Sequence, residues 1–257
     1  MSRVDPTIDG LLDRMGELLA PMLAAGDERR YFLAVYLRTT AAVKAELDEP
    51  TLGGFLDPAW TERWDLAFAD LYLEALERWN EDGSAPGPWQ VAFETGRTGP
   101  RLPPIRHLLL GMNAHINYDL PQALLSVISD EGFGDRELLA RRARDHEHID
   151  RILVERVPEE DRLLQASELP GDRTWLDRAL TPLNRSGTKR FLKEARAKVW
   201  RNARALSAAR AEGPAALKAR LDELAQLSAD KVADLRRPGQ VILRLSLKGF
   251  GVTLKGA

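Results

Sequence analysis

Apolar positions recur along this chain at helical spacing from one end to the other. Asp5-Pro6 reads as a cap followed by proline in the first helical turn, and Ile8, Leu11, Leu12, Met15, Leu18 and Met22 follow on one face. A second helix is predicted from Asp27 to Leu47. Gly53-Gly54 interrupts the pattern, and Asp57-Pro58 opens a third helix over 57–80 with Trp60, Trp64, Phe68, Leu71 and Leu76 on its apolar face. Residues 81–103 are dense in proline and glycine and predict an ordered loop or lid, with Trp89 and Phe93 packing inward. Further helices are expected over 135–157, over the short TWLDRAL stretch, and over 187–211 and 214–235, with Pro158 punctuating the chain between them. The end of the chain alternates instead: Leu243, Arg244, Leu245, Ser246, Leu247, Lys248 predict a short β-like tail over 238–257.

One helix departs from the rest. From Pro104 to 129 the chain is almost uncharged, and between Leu108 and Ile128 the only formal charge is Asp119. His115, Asn113, Asn117 and Tyr118 sit beside it among Leu, Ile, Val, Met and Ala. Buried polar groups must be hydrogen-bonded, paired or metal-bound, because an unpaired one costs a few kcal/mol. The central helix therefore carries an active site or a structural polar network. Pro121 removes one rung of its ladder and predicts a kink beside His115 and Asp119.

Composition narrows the chemistry. Of 257 residues, 44 % are hydrophobic and 30 % charged, enough for one all-α, single-domain helical bundle over 1–257. With 37 basic and 39 acidic residues, nothing demands nucleic acid, despite a basic helix near 187–211. There is no cysteine, which excludes disulfides, thiolate metal sites and a cysteine nucleophile. No membrane span is expected, since the one long apolar run holds His, Asn, Asp and Pro. Acids interrupt the N-terminal apolar pattern, so no secretory leader is expected and the location is predicted to be cytoplasmic. Phosphate-binding glycine loops and nucleophile elbows are missing.

All four histidines fall between His107 and His148, and two sit in the pattern His-x-x-x-Asp: His115 with Asp119, and His146 with Asp150. Residues four apart share a helix face, so each pair can present an imidazole and a carboxylate to one point. The set His115, Asp119, His146 and Asp150 would suit a divalent metal such as zinc, manganese or iron, and hydrolysis by metal-activated water is the simplest chemistry. His107 would join as a further ligand or base, and Asp65 as a further carboxylate. His146 is expected towards the core and His148 towards the flank. Tyr36, Arg38, Thr39, Thr40 and Lys44 read as a solvated edge of the second helix.

Two other readings stay open. Without a metal, His115 oriented by Asp119 would do acid–base work on an apolar metabolite, as an isomerase or cyclase, with Asn117 placing a substrate oxygen. Alternatively the bundle is a non-catalytic ligand-binding or scaffold protein whose polar cluster fixes helix register. A small-molecule ligand is the expected partner, and the alternating tail would allow a strand-exchanged homodimer.

The segments GMNAHINYDLP and FLDPAWTERWDLAFADLYLEAL resemble a bacterial family of helical proteins catalogued as a domain of unknown function. Locally, the two His-x-x-x-Asp pairs are similar to those of the zinc-dependent phospholipase C and P1 nuclease group. That resemblance implies a zinc cluster and phosphodiester hydrolysis, but the group uses more histidines than the four present here and a processed N-terminus.

Overall fold

The computed structural model describes residues 7–98, 102–166, 184–237, 239 and 241–256. Helices α1 (Ile8–Ala25), α2 (Arg30–Asp48), α3 (Pro58–Asp82), α4 (Gly87–Thr98) and α5 (Pro104–Ala114) lead into a π-helical turn, His115–Asp119. The chain continues through α6 (Leu120–Val127), α7 (Asp130–Gly134), α8 (Arg136–Ala166), α9 (Asn184–Glu212), α10 (Pro214–Arg236) and α11 (Val241–Lys248). Among the described residues there is no strand, and the fold is all-α. The short helix expected over TWLDRAL lies outside the described residues.

α5, the π turn and α6 form the central rod, with α2, α3, α4, α9 and α10 packed around it. The local logic of each helix is legible. The Asp57 carboxylate caps α3 by accepting from Trp60 N at 3.0 Å, and Pro58 needs no donor at that position. Two acids then fix the start of α3 against α8: Asp57 pairs with Arg142 at 2.6 Å, and Asp145 accepts the Leu56 amide at 2.6 Å.

Three expectations need correction. Residues 87–98 form a helix where a loop was predicted, because Pro88 falls in its first turn, where no N–H is required. Its Trp89 and Phe93 are buried in the core. Pro158 does not end a helix but lies inside α8. The alternating stretch at 241–248 is helical, and Val241 and Leu245, four apart on one face, are both buried. The described residues beyond it, 249–256, run without helix or strand.

The kink before Pro121 takes a specific form. The turn widens by one residue, and Leu120 N–H reaches back five residues to the His115 carbonyl. A proline without an N–H follows immediately, so the widened turn and the missing rung coincide. Close packing of α2 on α5 sets what faces this turn. A Cβ at Gly111 would lie 2.4 Å from Phe32 Cγ, so only glycine lets the two helices meet this closely. One helical turn further on, Tyr36 stands against His115, their ring centroids 4.6 Å apart.

Candidate functional site

His115 occupies the centre of an aromatic enclosure. Phe68 from α3 stacks on its ring at 3.6 Å with an interplanar angle of 7°. Tyr36, Phe32, Tyr72 and Trp89 present edges or tilted faces around it. Nδ1 shares a proton with Asp119 Oδ2 at 2.8 Å, and the same oxygen accepts the Trp89 indole N–H at 2.8 Å. Both partners are buried, His115 at 3 % exposure and Asp119 at 1 %. Burial pushes the His115 imidazole well below its ordinary range. Burial also pushes the Asp119 carboxyl well above its own, against the pull of the Trp89 donor. The two directions describe one state: a pair without net charge that holds a single proton between Nδ1 and Oδ2. In that state Nε2 carries its own hydrogen and acts as a donor. Nε2 itself is buried without a partner.

His115 lines a largely apolar cavity of about 130 Å³ between α2, α3, the central rod, α8 and α9. The space suits a group the size of a benzene ring. Its walls include Phe32, Val43, Phe68, Leu120, Ile149 and Leu153. Asp65 is on the same wall, and burial raises its carboxyl to about 7. Its Oδ2 has no hydrogen-bond partner. The Tyr36 hydroxyl is likewise buried and unpartnered. Burial above all holds that phenol well above its ordinary value and therefore protonated. Trp64 Nε1 is a fourth unpartnered buried atom on a lining residue.

The second His-x-x-x-Asp pair also reaches this cavity but is split. His146 Nδ1 accepts the Trp200 indole N–H at 3.1 Å, and burial, with the Arg196 charge adding, drives the imidazole to about 3. Asp150 pairs with Arg196 of α9 instead, and burial, opposed by that arginine, leaves its carboxyl at about 6. Among the described residues no three His, Asp or Glu side chains converge as a metal ion requires.

Other predicted site residues lie elsewhere. His107 stacks on Tyr31 and stands 3.9 Å from the Glu28 carboxylate, and burial lowers it to about 4. The Asn117 and Asn113 amides both donate to the Phe250 carbonyl at 3.1 Å. Asn117 therefore holds the C-terminal segment and does not reach into the cavity. His148 is buried, not flanking: its Nε2 meets Glu46 Oε1 at 2.8 Å. Burial alone would raise Glu46, but the Thr51, Leu52 and Gly54 amides and His148 outweigh it and hold the carboxyl at about 2. Of the supposed solvated edge of α2, Tyr36 and Thr40 are buried, while Arg38 pairs with Glu160 and Lys44 with Asp48. The spacing Phe32, Tyr36, Thr40, Val43 marks one inward face and would have found Tyr36. Trp89 was expected to pack inward, but nothing in the sequence ties it to Asp119. The basic run of α9 is partly internal balance, with Arg196, Lys198 and Arg210 all paired to acids.

Fold and cavity together define an all-helical protein with an internal imidazole–carboxylate pocket. Sequence comparison places it more narrowly: the chain belongs to a family of unknown function, DUF5995, which it matches over residues 8–236. No curated protein and no solved structure matches it. Among the described residues no helix is long and apolar enough to cross a membrane.

Proposed function

We propose that this chain is a metal-free enzyme that moves a proton on a small, largely apolar carbonyl compound, as an isomerase does. One observation carries the reading: Asp65 Oδ2, His115 Nε2 and the Tyr36 hydroxyl are all buried and unpartnered, on residues lining one apolar cavity. Three such atoms cost roughly 1–3 kcal/mol each unless a ligand completes them.

Their proton states suit distinct roles. Asp65, raised to about 7, is ionised in a useful fraction at neutral pH and accepts a proton from the carbon next to the carbonyl. The electrons move into the carbonyl, and the oxygen gains negative charge. His115 Nε2–H and Tyr36 O–H donate to that oxygen. Asp65 then returns its proton to a different carbon, which completes the isomerisation and restores the enzyme. Asp119 and Trp89 act through His115 as positioning residues. The reading takes no ligand set for zinc, manganese or iron, because among the described residues no three ligating side chains gather.

Deuterium incorporation next to the carbonyl of cyclopentanone, cyclohexanone and their 2-enones, followed by NMR in heavy water, tests this. Wild-type protein is expected to exceed the buffer rate, rising with pH through about 7 as Asp65 ionises. Asp65→Asn, with its fold confirmed by circular dichroism, should lose on the order of a hundred- to ten-thousand-fold. Equal rates for wild type and Asp65→Asn across the panel would sink the proposal.

A further inference from the structure

Residues 249–255 lie against α5, the π turn, α9 and α10, and are held by hydrogen bonds to their backbone and by burial of Phe250 and Leu254. The Phe250 and Gly251 amides both donate to Glu194 Oε2 at 3.1 Å. Asn117 accepts the Val252 amide at 2.9 Å while donating to the Phe250 carbonyl. Asn202 repeats this two residues along, donating to the Val252 carbonyl at 3.1 Å and accepting the Leu254 amide at 3.0 Å. Lys198 donates to the Gly251 carbonyl at 2.9 Å, and Glu223 accepts the Lys255 amide at 3.0 Å.

An asparagine side chain offers one donor end and one acceptor end. That matches the carbonyl of one residue and the N–H of the second residue after it along an extended chain. Two asparagines in consecutive register therefore read backbone without reading sequence. Selection comes from three positions. Phe250 and Leu254 are buried at 5 % and 1 % exposure. At Gly251 a Cβ would meet Lys198 Cδ at 2.7 Å and the Ala195 backbone at 3.4 Å.

Two further facts bear on this arrangement. With the segment in place Asn113, Asn117 and Asn202 are 0 %, 1 % and 1 % exposed, and the segment's backbone supplies the partners of their buried amides. Every groove residue named above falls within 8–236, the stretch matched by the family, while the segment it holds falls outside.

We propose that this groove is a peptide-binding site for an extended Phe-Gly-x-x-Leu segment. The chain's own residues 250–254 are its resident ligand, in competition with the same segment presented in trans. The mode is backbone capture with side-chain pockets at alternate positions, as in other extended-peptide grooves.

The test uses full-length protein carrying Gly251→Val, whose side chain crowds Lys198 and is expected to displace the resident segment, and a fluorescein-labelled peptide of residues 249–257. Fluorescence anisotropy should show saturable binding to this variant and binding about ten-fold weaker or worse to wild type, whose own segment competes. Adding Asn202→Ala to the variant should weaken binding about ten-fold, the loss of two hydrogen bonds. A peptide with Phe250→Ala should bind more weakly than the original. In wild type, the amides of Phe250, Val252 and Leu254 should exchange with deuterium faster than those of Leu224 and Val232 in α10. A concentration-dependent dimer that Asn202→Ala abolishes would also support the proposal, with a second copy supplying the segment. The proposal is overturned if the folded variant takes up no peptide below about 1 mM. It is equally overturned if the variant fails to fold and peptide does not rescue it, or if the wild-type segment exchanges only with global unfolding.

Discussion

The two His-x-x-x-Asp pairs are identical as patterns and opposite in outcome. His115 and Asp119 bond each other inside a ring of aromatic side chains. His146 and Asp150, equally spaced on α8, ignore each other: Trp200 takes the imidazole and Arg196 takes the carboxylate. Both of those partners come from α9. A four-residue spacing makes a bond available, but the crossing helix decides whether it forms. A guanidinium within reach outcompetes a neutral imidazole for a carboxylate, because the charged hydrogen bond is the stronger.

Five substitutions sharpen the contrast. Asp65→Asn should have the largest effect on stability. The folded carboxyl titrates near 7 against 3.8 ordinarily, so the folded chain holds a proton that the unfolded chain has already released. Stability is therefore full below about pH 4 and falls as pH rises to 7. The asparagine variant escapes that fall, and its advantage should reach on the order of 4 kcal/mol by pH 8 in urea titrations. Next, Asp119→Ala strands both Trp89 Nε1 and His115 Nδ1 in the core and should cost on the order of 3 kcal/mol. Asp150→Ala, whose arginine keeps Glu147 3.5 Å away, should cost about 1 kcal/mol or less. Equal losses in the two would erase the comparison. Gly111→Ala drives a methyl into Phe32 and should cost about 1–3 kcal/mol. It should shift the His115 ring resonances by NMR while leaving those of His146 in place. Last is Trp200→Phe, about 1 kcal/mol, read by thermal melting and by a changed nitrogen shift at His146 Nδ1 alone.

How far these features were legible follows from what each depends on. Helices α2, α3, α8, α9 and α10 were readable because caps, prolines and apolar faces are local signals. The helix at 87–98 was hidden by its prolines, which lie where a helix tolerates them. The tail misled because leucines at alternate positions also supply residues four apart, and burial of Val241 and Leu245 settles the choice. At the site, His115, Asp119 and Asp65 were visible as polar residues in apolar company. Their enclosure was not, because Trp89 arrives from α4 and Tyr36 from α2, contacts made across the fold. His148 shows the same limit: its partner Glu46 sits on a different helix, and no pattern within α8 announces it.

The widened turn at 115–119 has a thermodynamic consequence. His115 looks from it into the cavity, and two residues later Asn117 grips the C-terminal segment. Five residues are thus the shared wall of the cavity and of the groove that holds the C-terminal segment. If a molecule in the cavity favours one setting of this turn, it changes the affinity of the segment by some factor. Reciprocity then requires that docking or release of the segment change the cavity's affinity by the same factor.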